Sequence, residues 1–379
     1  MGFDVSVAST HQAFRALREQ WQELVRDQSE QLLGLDGTAT YDWFEAICAA
    51  FPQADDARLV VVREGGEVVG LLPIICEQGN ARWPRLKAPT ELYGGRVGLL
   101  VRRFDAELTS AVMKGLALAH PGWTSFQITL VSGSESALAL ERWSRDEGFA
   151  LVSSDARESP YFPICETAEA FQAGISKGLR QLLRTSANKF RALGELKHRQ
   201  MREEGQSAEL IEIVLDIERK SWKHEAGSAI TNNPQQERFY RELFPRAMRQ
   251  GLLLGHVLSL DDTPIAYNFG LRRDGVFSCL KHSHVQSMDK LSPSYLLNLA
   301  LIDSLRGDGV RTYDFMGLPD PHKIRWSNAT QTYSRACVFV FNRNLAGRLA
   351  FQGQRIKKKL AGISQRDQAG ARADSVAEE

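Results

Sequence analysis

The chain has 379 residues, 43% of them hydrophobic and 25% charged, and a net charge of +1. That length points to two domains, and the near-neutral balance excludes a global field for nucleic acid or acidic substrates, so any basic surface is local. Five widely spaced cysteines, Cys48, Cys76, Cys165, Cys279 and Cys337, argue against a disulfide framework or a zinc site. The N-terminus lacks a basic stretch followed by an apolar one. The longest apolar run, Val68–Ile75, is far too short to span a bilayer. The expected location is the cytoplasm.

In chain order, Asp4–Ala8 alternates as a strand, and Ser9-Thr10 can cap a helix with Phe14, Leu17, Trp21 and Leu24 on its apolar face. A second helix carries Trp43, Phe44, Ile47 and Phe51. Leu59–Arg63, the Gly65-Gly66 turn and Val68–Ile75 form a predicted hairpin. Leu108–Ala119 and Ala137–Trp143 read as helices, and Phe126–Leu130 and Phe149–Val152 as strands. After polar Ser153–Pro160 come a strand at Tyr161–Ile164 and one long helix from about Thr167 to Leu193, ended by Gly194. Leu196–Met201 is a strand, followed by helices at Ala208–Trp222 and Gln235–Arg249. The strands Leu252–Leu260, Pro264–Leu271 and Val276–His284 precede a helix at Ser292-Pro293, and strands Thr312–Met316 and Tyr333–Phe341 close the pattern.

The hairpin at Leu59–Ile75 resembles that at Leu252–Leu271, and in both halves helices precede the hairpin and a helix–strand unit follows it. We therefore expect an internal repeat of one α/β unit, with lobes at residues 1–155 and 156–345. Residues 346–379 form a third segment, a basic amphipathic stretch and a tail disordered after Ser364. Its apolar stripe, Leu345, Leu349, Ile356, Leu360 and Ile363, runs beside Arg355, Lys357, Lys358 and Lys359. Such a stripe either packs on its own domain or makes peripheral contact with an anionic membrane.

Chemistry concentrates in the second half. Ser292 at an N-cap and Pro293 at the first helical position make a strong helix start, and with Ser294 they place free backbone N–H groups where a phosphate can bind. Because the start follows a strand, it lies where open α/β sheets bind ligands. His282 and His284 share one strand face, with Lys281 on the other. Without a third ligand nearby they line a polar groove rather than hold a metal. Asp314 ends a strand just before Gly317, where a carboxylate can orient an acceptor or take its proton. It can equally cap a helix or pair with Lys323 or Arg325. Trp326 is either a pocket wall or core. The helix 176–191 carries Lys177, Arg180, Arg184, Lys189 and Arg191 without an acidic residue, a face that can receive phosphates or simply be solvated.

Residues from about Phe162 to Phe341 resemble the acetyltransferase branch of the GNAT superfamily associated with cellulose and exopolysaccharide genes, the CelD-like group, itself similar to Fem-type peptidyltransferases. The pieces that carry the likeness are Ser176-Lys177-Gly178-Leu179-Arg180 with Leu183-Arg184, the Glu218–Trp222 segment, and Pro264-Ile265-Ala266. Leu291-Ser292-Pro293, Asp314-Phe315-Met316-Gly317 and His322-Lys323-Ile324-Arg325-Trp326 complete the set. Met288–Ser294 stands where such proteins have a glycine-spaced pyrophosphate loop, and Ser294 where they often have glycine after the Ser-Pro.

The resemblance implies an α/β (α+β) tandem GNAT-like fold, two mixed sheets flanked by helices, with the lobes facing each other. It implies an acyltransferase moving an acyl group, acetyl above all, from acetyl-CoA or another acyl-CoA to an amine or hydroxyl. The acceptor would attack directly, without a covalent enzyme intermediate and without a metal. The expected catalytic residues are Asp314 or His284, with Tyr295 and Lys323 as donors, and Ser292, Pro293 and Ser294 would hold the cofactor. Arg180, Arg184, Trp222, Lys281, His282, Gly317 and Trp326 would bind substrate, a small molecule or glycan precursor of cell-surface polysaccharide synthesis. Two other readings stay open: a Fem-type transferase using aminoacyl-tRNA, with RNA phosphates on the Lys177–Arg191 helix, and a non-catalytic scaffold of a polysaccharide assembly complex.

Overall fold

A computed structural model describes residues 2–28, 37–77, 83–91, 95, 97–154, 156–326 and 329–358. Strand β1 (Phe3–Ala8) leads into α1 (His11–Ala16), where Thr10 caps the helix by accepting from Ala13 N at 3.2 Å. Helices α2 (Arg18–Asp27) and α3 (Tyr41–Ala50) follow, then the hairpin of β2 (Ala57–Glu64) and β3 (Glu67–Cys76). Its turn works because Gly65 and Gly66 both take positive φ, 58° and 91°, which a two-residue hairpin loop matched to strand twist requires. The short β4 (Arg85–Lys87) and β5 (Leu100–Val101), α4 (Ala106–Ala119), β6 (Ser125–Val131), α5 (Glu135–Asp146) and β7 (Ala150–Ser153) complete this half.

The second half begins with β8 (Arg157–Pro163), α6 (Ala168–Gly174), α7 (Lys177–Arg191) and β9 (Leu196–Met201). Helices α8 (Ser207–Arg219), α9 (Trp222–Glu225) and α10 (Pro234–Arg249) precede β10 (Leu253–Leu260), β11 (Thr263–Arg273) and β12 (Val276–His284). The chain then runs through α11 (Pro293–Gly307), β13 (Thr312–Asp314), α12 (Pro321–Ile324) and β14 (Gln331–Phe341) to a last helix, α13, at residues 345–358.

The two halves repeat one topology. Strands β1, β2, β3, β4 and β6 lie side by side, each pair antiparallel except the last, β4 with β6, which is parallel. Strands β9, β10, β11, β12 and β13 do the same, with β12 and β13 the parallel pair. Even the hairpin irregularities correspond: the register slips between Val62 and Arg63 in one half and between Leu258 and Ser259 in the other. Hydrophobic runs buried on both faces of β2 and β3, and again of β10 and β11, explain why helices cover both sides.

Two separate sheets were the expectation; the described strands instead form one sheet of fourteen. The reason is β14, which pairs with β6 and β7 of the first half and with β8 of the second. Among the helices, α3 packs against α10, with Trp43 and Phe239 edge to face at 4.9 Å between ring centroids. One apolar cluster accordingly runs from Phe14 through Leu140 to Phe269. The predicted long helix at 167–193 is two helices, because Ile175 is extended (φ −94°, ψ 153°) and Ser176 starts α7 afresh, accepting from Leu179 N at 3.1 Å. On α13, Leu345, Leu349 and Ile356 stay 74%, 55% and 58% exposed. Lys359, Leu360, Ile363 and the rest of the tail lie outside the described residues.

Candidate active site

Strands β12 and β13 run together only from Val276↔Thr312 to Ser278↔Asp314, after which β13 ends and β12 continues to His284. This parting at the carboxyl end of a parallel pair is where an open α/β sheet leaves room for a ligand. A cavity of about 410 Å³ lies at the end of β12. It is lined from β12 by His282, Ser283 and His284, from the connection and start of α11 by Asp289, Ser292, Ser294 and Tyr295, and from facing segments by Trp222, Lys223, Asp320 and Lys323. Two larger clefts, of about 640 and 590 Å³, have their charged lining partly tied up in salt bridges, such as Arg273 with Asp274 and Arg246 with Glu45. The larger of them opens at the amino end of β12. Neither contains a hydrogen-bonded acid–base pair beside a nucleophile among the described residues, so the 410 Å³ cavity is the stronger site.

His284 is its centre. Its Nε2 lies 2.6 Å from Asp289 Oδ1 and its Nδ1 lies 2.7 Å from Ser294 Oγ. A carboxylate only accepts, so Nε2 carries the proton, and in the neutral imidazole Nδ1 is then the acceptor of the Ser294 hydroxyl. The 3₁₀ turn Gln286–Leu291 folds Asp289 back onto His284, and Pro293 at the first helical position sets Ser294 in the first turn of α11. Ser292 is indeed the N-cap, but it is left-handed (φ 56°, ψ 50°) and its side chain caps nothing, so the helix start is held by backbone and proline rather than by the serine hydroxyl.

Opposite stands a lysine that the sequence reasoning missed. Lys223, on α9, donates to the carbonyl of His282 and lies 3.7 Å from the Glu218 carboxylate. Glu218 is fully buried, accepting from Ile230 N at 2.7 Å and from the Tyr267 hydroxyl. Burial pulls the Lys223 ammonium below its ordinary range, and Glu218 opposes that shift. The signal was its position directly after the Glu218–Trp222 segment. Lys281, one residue before His282, is pulled down to about 8 by burial and reaches toward Ser228 O at 3.5 Å rather than into the cavity.

The remaining expected site residues divide. Trp222, His282, His284, Ser292, Ser294, Tyr295 and Lys323 come together around the cavity. Lys323 donates to Leu318 O at 2.5 Å and pairs with Asp320 at 2.8 Å. It crosses Gly317, where an added Cβ would sit 3.0 Å from Nζ. Trp326 is fully buried and stacks on Tyr295 at 5.6 Å, so it backs the wall instead of forming it. Asp314 does not line the cavity. Fully buried, it accepts from Met316 N at 2.8 Å and from the Tyr333 hydroxyl at 3.1 Å, fastening a turn in which Met316 has φ 57°. Arg180 is turned toward the end of α6, donating to Gln172 O at 2.7 Å and Ile175 O at 2.8 Å. Arg184 is exposed on α7, and neither arginine lines the cavity. Among the described residues no cluster of three or more metal-binding side chains occurs, and no helix is long and apolar enough to cross a membrane.

The fold is GNAT-like. Residues 177–324 match the family described as acetyltransferase (GNAT) domain. Among solved structures the chain is similar to FemX, at 10% identity and a TM-score of 0.61, over 92% of this chain and 99% of that one. It is also similar to a conserved protein of unknown function from Bacteroides thetaiotaomicron VPI-5482, at 12% identity and a TM-score of 0.58, over 89% and 100%. At such identities the likeness is one of fold, and it spans both halves. No curated protein matches the sequence.

Proposed function

We propose that the protein is an acyltransferase that moves an acyl group, acetyl in the first instance, from a CoA thioester to an amine or hydroxyl acceptor, with His284 accepting the proton that the reaction releases. The observation that carries this reading is the Asp289–His284–Ser294 hydrogen-bonded chain inside the cavity at the end of β12. A carboxylate that fixes one imidazole nitrogen leaves the other as base, worth about 10²–10⁴ in rate. The thioester supplies the activated acyl group. Lys323 and Lys223, with the positive end of the α11 helix, are the groups available to hold its phosphates and to neutralise negative charge developing on its carbonyl oxygen.

The acceptor enters past Trp222, which is 49% exposed at the rim. An open indole face beside cationic groups suits a sugar ring, and supports a glycan precursor of cell-surface polysaccharide as the acceptor class, met in the cytoplasm. Calorimetry with acetyl-CoA and longer acyl-CoAs, joined to a free-thiol release assay over amino sugars and amino acids, tests the reading. Binding together with acceptor-dependent thiol release supports it; absence of both removes it.

A second reading is favoured by the exposed basic face of α7, where Arg184 and Lys189 stand free of acidic neighbours in the same helix. In it the donor is an aminoacyl-tRNA and α7 receives RNA phosphates. RNA affinity would then fall steeply with salt and be lost in Arg184→Glu with Lys189→Glu. No RNA binding at low salt excludes it.

A further inference from the structure

We propose that α13 docks the protein onto a membrane surface rich in anionic lipid, lying in the plane of the interface with Leu345, Leu349 and Ile356 turned into the lipid. The helix has two unlike sides. At about 100° per residue, Gly347 and Phe351 point one way, and this is the side that packs. Gly347 is buried so closely that an added Cβ would collide with the carbonyl of Asn342, and the Phe351 ring meets that of Phe341 at 5.6 Å between centroids. Lys358, on the same side, donates to Ser153 O at 2.8 Å. Leu345, Leu349 and Ile356 fall within about 40° of one another on the opposite side, a stripe they share with Gln352. All three stand in solvent, and Leu345 is the most exposed large apolar side chain among the described residues. The stripe therefore does not pack on its own domain; it faces directly away from it.

The charges fit the same orientation. Arg348 and Arg355 flank the stripe on one side and Lys357 on the other, roughly 80–100° from its middle, and all three are exposed. No acidic residue occurs between Asn342 and Lys358, so the helix carries nothing to neutralise them, whereas Arg241 on α10 pairs with Glu212 at 2.6 Å. The net charge of the whole chain is only +1, so the attraction is local to such a patch and not a global field. An apolar ridge between two rows of cations matches an anionic bilayer surface. The ridge enters the boundary between head groups and acyl chains, and the flanking side chains reach up to the phosphates. Nucleic acid would engage the cations and leave the ridge in water. At about 20 Å in length, α13 can lie on a bilayer and is too short to cross one.

The test uses the full chain and two sets of vesicles, phosphatidylcholine alone and an equal mixture of phosphatidylcholine with phosphatidylglycerol, read by co-sedimentation. With three flanking cations, the expected binding to the mixed vesicles is about a hundredfold tighter than to phosphatidylcholine, and it falls as salt is raised. Leu349→Glu with Ile356→Glu abolishes binding and leaves the thermal midpoint near wild type, since both side chains already stand in water. Arg348→Glu with Arg355→Glu and Lys357→Glu removes the preference for the anionic vesicles. No binding to the mixed vesicles, or equal binding by the wild type and the Leu349→Glu, Ile356→Glu variant, overturns the proposal. A dimer in sedimentation velocity that this variant disperses, without vesicle binding, also overturns it and gives the ridge to a second copy of the chain. Retention of RNA at low salt without vesicle binding overturns it as well and gives the cations to nucleic acid.

Discussion

Removing the Glu218 carboxylate should destabilise the protein by about 3–5 kcal/mol and change the charge of the candidate site's wall. In Glu218→Ala three donors lose their acceptor: Ile230 N at 2.7 Å, the Tyr267 hydroxyl, and the Lys223 ammonium at 3.7 Å. Hydrogen bonds to a charged group contribute about 1.5–3 kcal/mol each, so the first two alone amount to roughly 3–6 kcal/mol. Breaking a buried ion pair by deleting one partner costs about 3–5 kcal/mol, but Lys223 keeps 18% of its side chain in solvent, and its share is discounted accordingly. Glu218→Gln retains an acceptor for the amide and should cost less than half as much. Because one apolar cluster joins both halves, urea unfolding followed by tryptophan fluorescence should show one transition, shifted in midpoint with its slope unchanged. The second effect is electrostatic: without Glu218 the main opposition to burial is gone, and the Lys223 ammonium titrates at lower pH than in the wild type. A loss of stability under about 1 kcal/mol in Glu218→Ala would refute the claim that this carboxylate anchors the wall.

Replacing His284 by Asn should lower turnover about 10²–10⁴-fold while the thermal midpoint stays near wild type, measured by thiol release and calorimetric scanning. Asp314→Ala should behave in the opposite way. It loses the acceptor for Met316 N and Tyr333, unfolds at a urea concentration lower by the equivalent of about 3 kcal/mol, and keeps the kcat of the fraction that remains folded. Acid should weaken the fold through His256, which is fully buried and held down to about 3 by burial, with lesser contributions from His198 and Arg202. The unfolded chain takes up that proton near pH 6.5 and the folded one does not, so stability is present in full above pH 6.5 and is lost as pH falls. The slope is about 1.4 kcal/mol per pH unit, or roughly 2 kcal/mol by pH 5. Urea titrations at pH 7, 6 and 5 check this, and His256→Leu should flatten the slope by that amount.

What could be read from the sequence was whatever periodicity and turn chemistry announce. The Gly65-Gly66 hairpin, the strands of both halves and the Ser292-Pro293 helix start stand where they were expected, because each depends on a few neighbouring residues. Arg180 reads as a substrate ligand or a solvated charge because charge on a helix is visible in a sequence. The break at Ile175 is not, and it is what exposes the carbonyls of Gln172 and Ile175 that Arg180 caps. Asp314 was rightly placed at a strand end, but its task follows from the left-handed Met316, a conformation that no pattern of residue types predicts. The chain from Asp289 through His284 to Ser294 escaped for a related reason. It joins a strand end, a 3₁₀ turn and a helix start, and the turn that brings Asp289 back has no periodicity to betray it.

The two halves share a strand order, yet among the described residues the candidate site lies in the second, and the difference is visible at equivalent points. In the first half the helix between the parallel strands is α4, which opens on Asp105 and Glu107. Asp105 accepts from Leu108 N at 2.7 Å and Glu107 adds a second carboxylate to the same turn. An acidic start satisfies the helix dipole from within and repels an anionic ligand. In the second half the corresponding helix, α11, has no acidic residue in its first turn, opens on Pro293 and Ser294, and faces Lys323 and Lys223 across the cavity. The first half contributes instead through α3, whose Trp43 packs on Phe239 of α10 and whose Glu45 pairs with Arg246 at 3.2 Å. Since α10 packs in turn on α8, the helix that carries Glu218, the first half steadies the wall on which Lys223 stands. One half thus holds the candidate site, and the other steadies the half that holds it.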